Sequence, residues 1–162
     1  MAYTFSLPPI TALSKGQRIA LRTTVEDVLI ISGCPGSGKT TVALLRAKGK
    51  GRNPRHHYTV WANLLYGYLI NLSEQLEVSE SHFSTFYTWF YRTYKTFAFN
   101  SNGPDINTIV GKLRSQEPFF NEFQLDEGQD LPLEVRCALS YTTNKLVICM
   151  DPAQDVNGEC SI

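Results

Sequence analysis

Apolar residues in this chain recur with two spacings, and the alternation of the two sets the architecture. Short unbroken runs, Val28-Leu29-Ile30-Ile31 early on and Lys145 to Met150 late, read as buried strands. His57 to Trp61 and Phe119 to Leu125 suit two more. Between these runs the apolar positions fall three or four apart, as at Val42 and Leu45 and again at Leu65, Leu69, Leu72 and Leu76, which predicts helices laying one face on a sheet. A helix from about Lys15 to Val25 precedes the first strand, and others are predicted over Phe86 to Phe97, over Ile106 to Arg114 and from Pro132 through Cys137. A polar, basic link from Gly49 to Arg55 and a turn-rich break from Asn100 to Asp105 separate them. Strands alternating with helices predict an α/β fold, a mostly parallel central sheet covered on both faces to give three α-β-α layers. The chain has no internal repeat and no low-complexity segment.

Composition narrows the setting. With 162 residues, 43% of them hydrophobic, residues 1–162 suit a single domain with a real core. Fifteen basic residues balance fifteen acidic ones, which excludes a global basic footprint. Nucleic-acid contacts would have to come from local patches. Arg46, Lys48, Lys50, Arg52 and Arg55 form one such stretch, or else a solvated loop. Trp61, Tyr66, Tyr87, Trp89 and Tyr91 are candidate stacking platforms, or else ordinary core aromatics. Cysteines 34, 137, 149 and 160 show neither a C-x-x-C pair nor zinc-ligand spacing, so reduced thiols in an intracellular protein of cytoplasm or nucleus are expected. The start, Met-Ala-Tyr-Thr-Phe-Ser-Leu-Pro-Pro-Ile, lacks the layout of a signal peptide, and no apolar run approaches a membrane span. A soluble protein with no membrane partner is the expectation. His56, His57 and His82 have no recognisable catalytic partner and are read as surface or core residues.

The strongest chemical signal is Gly33-Cys34-Pro35-Gly36-Ser37-Gly38-Lys39-Thr40, which fills every position of G-x-x-x-x-G-K-[ST] between a predicted strand and a predicted helix. It predicts binding of a nucleoside triphosphate. Glycines at 33, 36 and 38 let successive amide N–H groups curl inward at phosphate oxygens, and the helix that opens after them adds its positive end. Lys39 supplies a mobile charge for the outer phosphates, and the Thr40 hydroxyl is a ligand for Mg2+, which takes oxygen donors and keeps several waters. The nucleotide set is thus Gly33, Pro35, Gly36, Ser37, Gly38, Lys39, Thr40 and Thr41. Cys34 is either a passive small residue or a thiol made reactive by the helix start.

A second constellation, Leu125-Asp126-Glu127-Gly128-Gln129-Asp130, emerges from the end of an apolar strand, where α/β sheets hold their ligands. Asp126 can hold magnesium through its water shell, and Glu127 can orient or deprotonate an attacking water. With Lys39 and Thr40 that completes a set for cleaving a γ-phosphate, a reaction that chiefly needs positioning and charge neutralisation. A solvated acidic turn capping the next helix is the plainer alternative.

Asp-Glu-Gly-Gln-Asp at 126 to 130 resembles motif II of the UvrD/Rep-type superfamily-one DNA helicases, whose N-terminal motor half is a RecA-like P-loop NTPase domain. Four further segments agree in order, from residue 13 to 156. Leu13-Ser14-Lys15-Gly16-Gln17 is similar to the Q motif, which implies that Gln17 reads the adenine edge. His57 to Asn63 is similar to motif Ia and Ser84 to Trp89 to motif Ib, which line the single-strand track in the family and implicate Thr59, Asn63, Thr85 and Trp89. Val147 to Gln154 resembles motif III, implying that Gln154 senses the γ-phosphate and joins Lys39 and Glu127 among the catalytic residues. The resemblance thus implies a helicase-type ATP hydrolase using ATP and Mg2+ and coupled to single-stranded DNA.

The chain also departs from the pattern. Met150 stands where the family has glycine, Val156-Asn157 where an aromatic follows the glutamine, Tyr87 where motif Ib has histidine, and Thr41 where arginine often follows the loop threonine. Some forty residues between Thr85 and Asp126 are too few for the accessory domain often inserted there. The second RecA-like domain, with its arginine fingers, is expected to act from outside these residues, in cis or trans. A finger supplied across the cleft raises the rate roughly a thousandfold or more, so ATP binding with weak hydrolysis and no unwinding is expected of this chain alone. A nucleotide or metabolite kinase and a non-catalytic ATP-binding module of a larger complex remain the alternatives.

Overall fold

In the computed structural model, residues 7–61 and 63–154 are described, with Asn63, Leu64, Leu65 and Glu74 described in backbone only. Five parallel strands form the main sheet: β1 (Val28–Ser32), β2 (His56–Val60), β3 (Phe83–Thr85), β6 (Glu122–Leu125) and β7 (Leu146–Met150), in the order β1-β7-β6-β2-β3. Helices α1 (Lys15–Arg22), α2 (Lys39–Lys50), α3 (Asn63–Leu76), α4 (Phe86–Tyr94), α5 (Ile106–Arg114) and α6 (Leu133–Leu139) lie between them. A two-residue hairpin, β4 (Phe99–Asn100) with β5 (Gly103–Pro104), follows α4.

Side chains that alternate along a strand point to opposite faces, and here both faces are buried. On β7, Leu146, Ile148 and Met150 join the core under α4, α5 and α6, while Val147 and Cys149 join the core under α2 and α3. Phe123 and Leu125 of β6 belong to the first core and Tyr58 and Val60 of β2 to the second. The protein is therefore α/β, a five-stranded parallel sheet with helices on both faces. Among the described residues, no helix is long and apolar enough to cross a membrane.

Several boundaries differ from the sequence expectation, each for a local reason. Helix α1 stops at Arg22, where Thr23 leaves helical geometry and its N–H closes on the Ile19 carbonyl. Helix α4 stops at Tyr94, because Lys95 turns left-handed (φ 50°) and its N–H closes on the Tyr91 carbonyl. Phe119 and Phe120 stay outside β6, with a single bridge from Phe120 to Thr143. The three-residue strand β3 and the β4–β5 hairpin are too short to show a period in the sequence.

Polar groups are buried at the end of the sheet remote from the glycine-rich loop. Arg46 donates to the carbonyls of Ala20, Leu21 and Thr23, closing the end of α1, and lies 3.8 Å from Glu122. Lys50 pairs with the same carboxylate at 2.8 Å. Arg46 is thus an internal ion-pair partner, and Lys50, itself exposed, is tied to the same buried carboxylate. Burial pushes the His56 imidazole down to about 4 and that of His57 down to about 3, so both are neutral; Gln124 and Ser84 are their hydrogen-bond partners.

Candidate functional site

Because all five strands run parallel, their C-terminal ends share one rim, and the two chemical constellations meet there. The glycine-rich loop leaves β1 at Gly33, whose N–H donates to the Met150 carbonyl at the end of β7. Two of its glycines are conformationally required: Gly36 (φ 75°) and Gly38 (φ 84°) are left-handed, and a Cβ on Gly38 would run into the Gln17 amide. Lys39 opens α2, and its ammonium folds back over the loop to the carbonyls of Gly33 (2.8 Å) and Cys34 (3.2 Å). Pro35 and Cys34 are exposed on the loop, and Thr41 is half-buried as the third residue of the helix. The Ser37 hydroxyl is buried without a hydrogen-bond partner.

Asp126 follows β6, two strands from β1, with its N–H on the Thr59 carbonyl. The Thr40 hydroxyl donates to its Oδ2 at 2.8 Å and the Tyr58 hydroxyl to the same oxygen at 3.1 Å, while the Glu127 N–H donates to Oδ1 at 3.1 Å. The carboxyl has no exposed surface. Burial raises its pKa above the ordinary value, the Thr40 and Tyr58 hydrogen bonds oppose that, and the neighbouring Glu127 adds to it. A cation at this point would relieve the cost of the buried charge.

Glu127 is left-handed (φ 53°), which swings its half-buried carboxylate away from Asp126 and onto the Gln129 amide at 2.6 Å. The turn at 128–130 lies directly on β7, and a Cβ on Gly128 would strike Ile148. That closeness lets the Gln129 Oε1 accept from the Asp151 N–H at 3.0 Å. Asp151 is itself buried, with Oδ1 taking the Ala153 N–H and Oδ2 without a partner. Gln154, exposed at the end of a short 3-10 turn over Pro152–Gln154, is the last described residue. Strand β7 thus inserts this loop between the glycine-rich loop and the acid pair.

Gln17 sits against the loop, but both ends of its amide are taken. Its Nε2 donates to the Ser37 carbonyl at 2.8 Å, and its Oε1 accepts from the Ser14 N–H at 2.8 Å in a capping box that starts α1. Between α1 and the loop lies a cleft of about 260 Å³, lined among others by Gln17, Ala20, Ser37 and Lys39.

The donor set fits a hydrated Mg2+ with triphosphate. Hard oxygens from Thr40 and Asp126 meet beside the glycine-rich loop, and two buried polar atoms on the loops that follow β1 and β7, Ser37 Oγ and Asp151 Oδ2, have no hydrogen-bond partner. Among the described residues no group of three or more His, Cys, Asp and Glu side chains could hold a metal by itself. An ion here would draw its remaining ligands from phosphate and water.

The residues linked by resemblance to a single-strand track are placed differently. Trp89 is 4% exposed and packs against Phe86, Phe120 and Phe123, so it is a core residue and not a surface contact. Thr59 is wholly buried and donates to the Gln124 carbonyl. Thr85 is buried as the cap of α4, accepting the Thr88 N–H. The Asn63 side chain lies outside the described residues, as do Ala62, the leading residues 1–6, Val156-Asn157 and Cys160. Cys34 and Cys137 are free and exposed, and Cys149 is free and buried. Sequence reasoning missed Tyr58, whose place in β2 gives no sign that its hydroxyl reaches Asp126. No protein-family model matches the chain, and comparison with curated proteins finds no significant relative.

Proposed function

We propose that this chain is the RecA-like ATP-binding domain of a superfamily-one, UvrD-like motor, binding ATP with Mg2+ and hydrolysing it in response to single-stranded nucleic acid. The observation that carries the reading is the 2.8 Å hydrogen bond from Thr40 to Asp126, which joins positions 86 residues apart in sequence at one rim. In this reading the amides of Gly36 to Lys39 and the Lys39 ammonium bind the β- and γ-phosphates. Thr40, with Asp126 hydrogen-bonded to it, would hold the magnesium ion, which would supply charge neutralisation for the transferred phosphoryl group.

Glu127 orients the attacking water and accepts its proton, with Gln129 fixing the carboxylate. Gln129 also touches the backbone at Asp151, so a shift of the loop that bears Gln154 reaches the base through one amide. That link supports a motor over a kinase, because it offers a path from the phosphate to a second surface rather than an acceptor pocket. A partner RecA-like domain completes the site with cationic side chains.

Phosphate release, with and without single-stranded DNA, tests the reading in wild type and Glu127→Gln. Slow turnover stimulated by the strand and lost in the variant is expected. Turnover unchanged in Glu127→Gln would remove Glu127 from the role, and transfer of phosphate to a small acceptor would indicate a kinase.

A further inference from the structure

The end of the sheet remote from the glycine-rich loop holds a polar cleft of about 310 Å³ where four elements converge. Arg22 comes from the end of α1, Arg46 and Lys50 from the last turns of α2, Glu122 from the start of β6 and Lys145 from the residue before β7, and all five line it. Four cations thus surround one carboxylate, a local surplus of three charges in a chain whose formal charge is zero.

Glu122 is 2% exposed and already committed, with Arg46 3.8 Å and Lys50 2.8 Å from its Oε2. Arg22 and Lys145 have no ion pair among the described residues. The acidic residues that follow the cleft-lining Val25, Glu26 and Asp27, are exposed and stand outside the lining. Arg46 is fixed in place by the three carbonyls it closes at the end of α1. Charges of one sign held around a concavity repel one another and focus their field, and an anion relieves both.

We propose that this cleft is a second anion site, taking a small molecule that carries a di- or triphosphate group. Arg22 offers a guanidinium fork to phosphate oxygens, while Lys50 and Lys145 add point charges beside the fixed Arg46. Cations converging from four elements on one concavity suit a compact polyanion, whereas an extended nucleic-acid backbone needs cations along a track. The site is separate from the loop. Lys39 opens α2 and Lys50 closes it, about 16 Å further along the axis. The proposal therefore stands independently of the ATP reading.

The test is calorimetry with sodium pyrophosphate at low salt and without magnesium, on Lys39→Ala protein so that the glycine-rich loop contributes no lysine charge. A 1:1 heat is expected there, and its affinity should fall about tenfold when Arg22→Gln and Lys145→Gln are added, through loss of two charge-assisted contacts on partly exposed groups. Sodium chloride should weaken it as well. Arg22 is exposed and Lys145 half-buried, neither in an ion pair, so circular dichroism and melting temperature of Arg22→Gln/Lys145→Gln should match wild type, and its Mg2+-ATP binding should be unchanged. No pyrophosphate heat in Lys39→Ala, or equal affinity with and without the two glutamines, would overturn the proposal whatever ATP does. So would displacement of pyrophosphate by dT15, which would give the cleft to a nucleic-acid backbone. Pyrophosphate binding that needs Arg22 and Lys145, in a protein whose wild type takes no ATP, would uphold the cleft and refute the ATP reading.

Discussion

Replacing Tyr58 by Phe removes one oxygen from the middle of the site and nothing else. The ring keeps its edge contact with Phe83, at 5.8 Å between centroids, so packing is preserved. Asp126 falls from three hydrogen bonds to two, keeping the Thr40 hydroxyl and the Glu127 N–H. A hydrogen bond to a charged group contributes ~1.5–3 kcal/mol, and with two donors remaining the lower end applies. A loss of ~1.5 kcal/mol lowers the melting temperature of a domain this size by about 3–6 °C.

The pH dependence has a definite sign. Burial raises the folded Asp126 pKa above the unfolded value, so the ionised carboxyl costs stability at neutral pH, and that cost is relieved as pH falls through the folded pKa. The Tyr58 bond favours the ionised form. Its removal should therefore hurt most near pH 7 and progressively less toward the ordinary carboxylate range. Urea unfolding followed by tryptophan fluorescence, wild type against Tyr58→Phe at pH 7 and pH 4.5, measures the difference directly. A deficit equal at both values, or none at pH 7, would refute the claim that Tyr58 supports an ionised Asp126.

Three other outcomes follow from the same geometry. Gly38→Ala places a Cβ at φ 84° and against Gln17, which should cost about 1–3 kcal/mol and speed hydrogen exchange in α1; unchanged exchange would detach α1 from the loop. His56 and His57, held down to about 4 and about 3, make the folded state bind fewer protons than the unfolded one below about pH 6.5. Stability is complete above that pH and is lost as pH falls toward 4 and 3, by up to ~1.4 kcal/mol per pH unit for each histidine. His57→Gln should flatten the decline by one proton, read from urea midpoints between pH 7 and 5.

The strands and helices were legible where their periods were long. The apolar runs at 28–31 and 145–150 and the leucine spacing from 65 to 76 correspond to β1, β7 and α3. What stayed hidden is non-local. Nothing in the order of residues says that β7 lies between β1 and β6, nor that Arg46 turns inward to close α1 and meet Glu122. Trp89 could be a base platform or a core ring on composition alone, and only packing against Phe123 decides it. The loop and the acid pair each carry a local pattern, whereas the Tyr58 contact depends on neighbouring strands in register, Tyr58 opposite Gln124 and Asp126 two residues on.

Titration calorimetry with ATP, in magnesium and in its absence, tests the shared rim most directly when wild type is set beside Lys39→Ala. A 1:1 heat that requires magnesium and disappears with the lysine is the expected result. No heat in wild type, or binding indifferent to both the metal and Lys39, would contradict the account.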